Sequence, residues 1–158
     1  KRVDVVVAVA PLEIVAPYEA PFRLAGFQTG WLTTSTLAAL ELAPNTGLNV
    51  LAKLTGRILS LAVLNHGSIK LIRSIELSDF TAEEIAGHLF PTLAYAEDQL
   101  SAPPDTLLIC GFGATTEGTR QWLESELGLR TVPLSSRYGQ PGELNAGLLG
   151  YLEMLKEA

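Results

Sequence analysis

Apolar positions along this chain follow two rhythms, one of period two and one of period three to four, and the change between them marks its elements. Residues 2–10, "RVDVVVAVA", are β-branched and apolar on both faces, the pattern of a strand buried inside a sheet. In "PLEIVAPYEAPFRLAGF", Ile14, Tyr18, Phe22 and Leu24 or Ala25 recur at helical spacing, and Gly26 is a natural stop. Pro17 and Pro21 conflict with a straight helix and predict a bent one, or one beginning at Pro17. A strand over residues 27–33 and a short helix in "STLAALELA", capped by Thr34 or Ser35, follow.

Beyond the turn "PNTG", three strands are predicted at 48–54, 57–65 and 68–77, joined by tight turns at Thr55-Gly56 and His66-Gly67. The middle one is apolar on both faces, which makes it a central strand. A helix over "TAEEIAGHLFPTLAYAEDQL" opens on Thr81 and Glu84, the spacing of a capping box, and Pro91 predicts a kink in it. Ile85, Leu89, Leu93 and Tyr95 or Ala96 form its apolar stripe, while Glu83, Glu84, Glu97 and Asp98 form a solvated face. "TLLICGFG" is a buried strand running into glycines. "TTEGTRQWLESELG" is a helix with Trp122, Leu123 and Leu127 inward, Thr115 or Thr116 as cap and Gly128 as stop. "LRTVPL" is a short strand. The last helix, "GELNAGLLGYLEML", carries Leu144, Leu148, Leu152 and Leu155 on one side. A three-strand meander followed by alternating helices and strands defines an α/β fold with a mixed sheet of the RNase H-like kind.

Composition narrows the chemistry. Of 158 residues, 47% are hydrophobic and 18% charged, more apolar than a small soluble monomer needs, so some apolar surface meets a partner or a large core. The net charge of −6 and the absence of a Lys/Arg stripe exclude a nucleic-acid phosphate binder. The single cysteine, Cys110, excludes a disulfide framework and reads as a buried structural thiol. His66 and His88 have no ligand spacing, so no metal site is expected. No apolar run reaches the ~20 residues that span a bilayer, so no direct membrane insertion is expected. The chain opens at Lys1 directly on a strand pattern, which is read as a piece of a longer protein. Ser60, Ser68 and Ser74 have no acid–base partner at a predictable spacing, and no catalytic residue is assigned.

Three stretches carry a family likeness: "VLAKLTGRILSLAVLNHGSIKLIRSIEL", "AEEIAGHLFPTLAYAEDQLSAPPDTLLICGFGA" and "LESELGLRTVPL". Together, in this order, they resemble the PilM-type pilus-assembly proteins and the related cytoplasmic actin-like domains of type II secretion systems, within the actin-like ATPase superfamily. "VVVAVAPLEIVAPYEAPFRLAGFQTGWLTTSTLAALELA" is similar to the end of the preceding subdomain. The resemblance implies that residues 1–47 close a first actin-like subdomain and residues 48–158 form an RNase H-like second one, or that all form one compact unit.

In that superfamily a hairpin turn cradles phosphate and a nearby aspartate holds Mg²⁺ through water. The likeness puts Lys53 where the aspartate would be and Thr55 where the first glycine would be, with Gly56 next door; the alternative is a plain polar turn. A second wall, the turn holding Gly111, Phe112 and Gly113, would approach adenosine, with Phe112 either stacking on a base or filling the cavity. These six residues are the candidate nucleotide contacts. Lys53 repels Mg²⁺, and the family's first phosphate loop falls before Lys1, so no cofactor is expected for this segment; ATP with magnesium belongs to a full-length protein.

The resemblance therefore implies a non-catalytic scaffold of a bacterial type IV pilus or type II secretion platform. It would bind the cytoplasmic tail of an inner-membrane assembly protein and sit peripherally at the cytoplasmic face of the inner membrane, with Tyr18 and Phe22 as candidate contact residues. The rival readings are an ATP-hydrolysing actin-like or sugar-kinase-like enzyme whose other half lies outside this segment, and a self-associating homo-oligomer.

Overall fold

A computed structural model describes residues 5–155, and the chain divides into two units, Lys1–Thr33 and Thr34–Ala158. The division falls before the short helix rather than at residue 47, because that helix packs into the second unit.

In the first unit, a single helix α1 (Leu12–Leu24) passes through both Pro17 and Pro21 rather than starting at Pro17, with Pro11 at its N-cap. Gly26 follows the helix at φ +84°, the left-handed geometry of the expected stop. None of its residues is buried; Ile14, Tyr18 and Phe22 are exposed. The strands expected at 2–10 and 27–33 are not formed over the described residues, 5–10 and 27–33. Residues 5–10 and 27–33 are irregular and almost wholly exposed, and residues 2–4 lie outside the described residues. A β-branched run becomes a strand only beside another strand, and among the described residues none pairs with either segment.

The second unit opens on α2 (Ser35–Ala39), whose cap is Thr34: its hydroxyl accepts the Leu37 amide at 3.1 Å. The meander follows as β1 (Leu48–Thr55), β2 (Ile58–Asn65) and β3 (Ser68–Glu76). His66 and Gly67 both have positive φ, as a type I′ turn demands. The first turn is Gly56-Arg57, one residue later than expected, with Gly56 at φ +55°. Then come α3 (Ala82–Leu100), β4 (Thr106–Cys110), α4 (Thr116–Leu127), β5 (Thr131–Pro133) and α5 (Ala146–Met154).

The strand order is β3-β2-β1-β4-β5; β1, β2 and β3 are antiparallel neighbours, while β4 runs parallel to β1 and to β5. The middle of the sheet is therefore β1, with β2 beside it. One face packs under α3 and α4 through residues such as Val50, Leu61, Leu89 and Leu123. The other packs under α2 and α5 through Leu51, Leu64, Leu108 and Ala146.

Two helix expectations are corrected by this packing. In α5 the buried residues are Ala146, Gly147, Leu149 and Gly150, while Leu144, Leu148 and Leu155 are exposed. The small residues let the helix approach α2 backbone to backbone: a Cβ on Gly150 would lie 1.8 Å from the Ala38 carbonyl oxygen. At the start of α4 neither threonine caps. Thr115 and Thr116 donate their hydroxyls back to the carbonyls of Phe112 and Gly113, both at 2.7 Å.

Glu84 is not merely solvated. Thr81 caps α3 by accepting the Glu84 amide at 3.1 Å, and the Glu84 carboxylate accepts the amides of Ser78, Asp79 and Phe80 at 2.7–3.1 Å. Those amides hold its carboxyl below the usual range.

Candidate functional site

The candidate nucleotide contacts meet at the carboxyl ends of β1 and β4, two adjacent parallel strands. Lys53 on β1 is the register partner of Cys110 on β4, so Thr55-Gly56 and Gly111–Gly113 leave the sheet side by side. The strands approach closely there: a Cβ on Gly111, at φ +85°, would lie 1.9 Å from the Leu54 carbonyl oxygen. Gly56, in contrast, has open space around it.

The two bulky candidates point to opposite faces of the sheet. Lys53 shares its face with Leu51, under α2. It is 3% exposed, and its ammonium donates to the hydroxyls of Ser35 at 3.0 Å and of Thr55. Burial pulls its pKa below the ordinary 10.5. Phe112, 6% exposed, belongs to the core under α3 and α4. The backbone turns after Cys110, so strand parity no longer sets the direction of its ring.

Lys53 sits in a polar row that crosses four strands in register: Ser74, Ser60, Lys53, Cys110. Ser60 is bonded to Ser74 at 3.1 Å and accepts the Thr36 hydroxyl at 3.2 Å. Burial pushes the Cys110 thiol up to about 11, so it is neutral and a poor nucleophile. A magnesium–nucleotide complex requires carboxylate and water oxygens for the ion and cations for the phosphates. The side chains gathered around Lys53 are one ammonium, hydroxyls and a neutral thiol, which do not fit such an ion. Among the described residues no three His, Cys, Asp or Glu side chains cluster as metal ligands.

A cavity of about 390 Å³ opens where β4 and β5 end. This is the crevice at the carboxyl ends of parallel strands where open α/β sheets hold ligands. Its floor includes Gly111 and Gly113, and its outer wall is the loop from Gln140 to Glu143. Glu143 presses on Gly113: a Cβ there would lie 2.1 Å from Oε1. The sequence reading passed over Glu143, because an acid in a Pro/Gly loop has no periodicity to mark it. Arg137, in the same loop region, pairs with Glu153 at 2.6 Å and lies over the Tyr138 ring.

A mixed five-stranded sheet in the order 3-2-1-4-5, with helices on both faces, is the α/β fold with a mixed sheet that the sequence led one to expect. No protein-family model matches the chain, and no curated protein sequence does. Among solved structures it is similar to the PilM–PilN type IV pilus biogenesis complex, at 15% identity and TM-score 0.65, over 90% of this chain and 58% of that one. It is also similar to a Bacteroides thetaiotaomicron protein of actin-like ATPase fold and unknown function, at 14% identity and TM-score 0.48, over 77% of this chain and 41% of that one. The Alp12 filament structure matches at 7% identity and TM-score 0.48, over 79% of this chain and 53% of that one. The chain thus spans 41–58% of the length of these neighbours. At such identities the likeness is one of fold.

Proposed function

We propose that this chain is part of a non-catalytic, actin-like scaffold of a bacterial type IV pilus or type II secretion platform. It binds the cytoplasmic tail of an inner-membrane assembly protein. The observation that carries this reading is Lys53, a buried ammonium held by Ser35 and Thr55 on the strand end where an actin-like ATPase needs an acid for its metal. The fold shared with the PilM–PilN complex supports a role in binding a partner polypeptide. No helix among the described residues is long and apolar enough to cross a membrane. In this reading the partner's tail brings the chain to the cytoplasmic face of the inner membrane.

The test is a fluorescence-polarisation titration of the full-length protein with a labelled peptide covering the cytoplasmic tail of the inner-membrane component encoded beside it. Saturable binding that Mg-ATP leaves unchanged is expected. A tail that does not bind, together with magnesium-dependent ATP binding, would favour the enzyme reading instead.

A further inference from the structure

We propose that the cavity between the β4–α4 turn and the Gln140–Glu143 loop receives one basic side chain, an arginine or lysine, from the docking partner; this rests on the scaffold role above. Its volume of about 390 Å³ lies in the range of small-ligand sites and is ample for one long side chain. Ile109, Leu134, Pro133 and Pro141 give it an apolar wall, and Glu143 and Gln140 stand at the loop side. Such a layout suits a side chain with an apolar stem and a polar head.

Charge selects the head. Glu143 is the one acidic or basic residue of the lining. Among the described residues it makes no hydrogen bond or ion pair of its own. The cation of that loop region, Arg137, is already committed to Glu153. An anionic ligand has no counter-charge here. Gly113, three residues before α4, already packs against the Glu143 carboxylate. Bringing a phosphate against that carboxylate sets like charges together. A guanidinium or ammonium instead completes the pair, and the chain's net charge of −6 draws cations toward it.

The test needs no partner protein. Nα-acetyl-arginine amide and its neutral isostere Nα-acetyl-citrulline amide are titrated into the full-length protein, followed by amide chemical shifts. The arginine probe is expected to shift Gly111, Gly113 and the Gln140 side chain saturably, and to bind about tenfold more tightly than citrulline, the worth of one charged hydrogen bond. Glu143→Gln should bring the two probes level without disturbing shifts elsewhere, and Gln140→Ala should weaken both. Equal binding of the two probes by the unaltered protein, no shifts at the three sites, or the same shifts with Mg-ATP would overturn the proposal. A tail peptide that binds the unaltered and Glu143→Gln proteins equally would overturn the cavity assignment and leave the scaffold role standing.

Discussion

Replacing Lys53 by methionine keeps the aliphatic stem in place and removes the charge. Two effects oppose each other. The ammonium loses two charge-assisted hydrogen bonds, to Ser35 and Thr55, each worth about 1.5–3 kcal/mol. Against that, an ion 3% exposed no longer has to leave water, and that cost is also several kcal/mol. The lowered pKa, with burial as its largest cause, says that the site disfavours the charged form. The freed hydroxyls are not stranded, since Ser35 is exposed and Thr55 half-buried. Lys53→Met should therefore be neutral or stabilising by up to about 2 kcal/mol at pH 7.

The pH dependence gives a second check. A lysine whose folded pKa lies below its unfolded value binds fewer protons when folded. Stability thus rises as pH climbs from the folded pKa toward 10.5, and the advantage of the methionine variant shrinks over that window. Cys110 acts the other way: its folded thiol keeps a proton up to about 11 that the unfolded chain releases from about 9, so stability falls there. Urea denaturation of both proteins in a Cys110→Ala background, at pH 7 and pH 10, separates the two. A methionine variant less stable by more than about 2 kcal/mol at pH 7, or a gap that widens with pH, would refute the reasoning.

Gly150→Ala places a methyl group against the Ala38 carbonyl and should loosen α5 from α2. Hydrogen exchange of the α5 amides should speed up while β1 to β3 stay protected; unchanged exchange would refute the small-residue contact. Glu84→Gln removes the carboxylate that gathers the Ser78, Asp79 and Phe80 amides. Since the Glu84 pKa is depressed, its contribution is present above the unfolded value of about 4.5 and lost as pH falls through the folded one. Urea midpoints at pH 7 and pH 3 should then fall less on acidification in the variant than in the unaltered chain, and parallel losses would refute it.

Local signals carried most of the second unit. Alternation and turn dipeptides located the three strands of the meander to within a residue or two, and Thr81 with Glu84 located the start of α3. What failed depended on distant neighbours. Residues 5–10 and 27–33 have strand composition, but a strand exists only where another pairs with it. The leucines of α5 mark an apolar stripe, yet periodicity cannot say whether a stripe or the small residues beside it meets the sheet. At the site, Lys53 was visible as an anomaly because the likeness predicts an acid there. That Lys53 and Phe112 point to opposite faces was not visible, because Phe112 follows the strand end, where the rule of alternation stops. Glu143 became noticeable only once the fold brought its loop against Gly113.

The proposed scaffold role rests on a buried ammonium, Lys53, on the strand end where the family likeness puts the acid of a magnesium–nucleotide site. Calorimetric titration of the full-length protein with ATP, with and without Mg²⁺, tests it directly. The account predicts flat heats in both series, and flat heats again for Lys53→Met. Tight ATP binding that requires Mg²⁺ in the unaltered protein would contradict it.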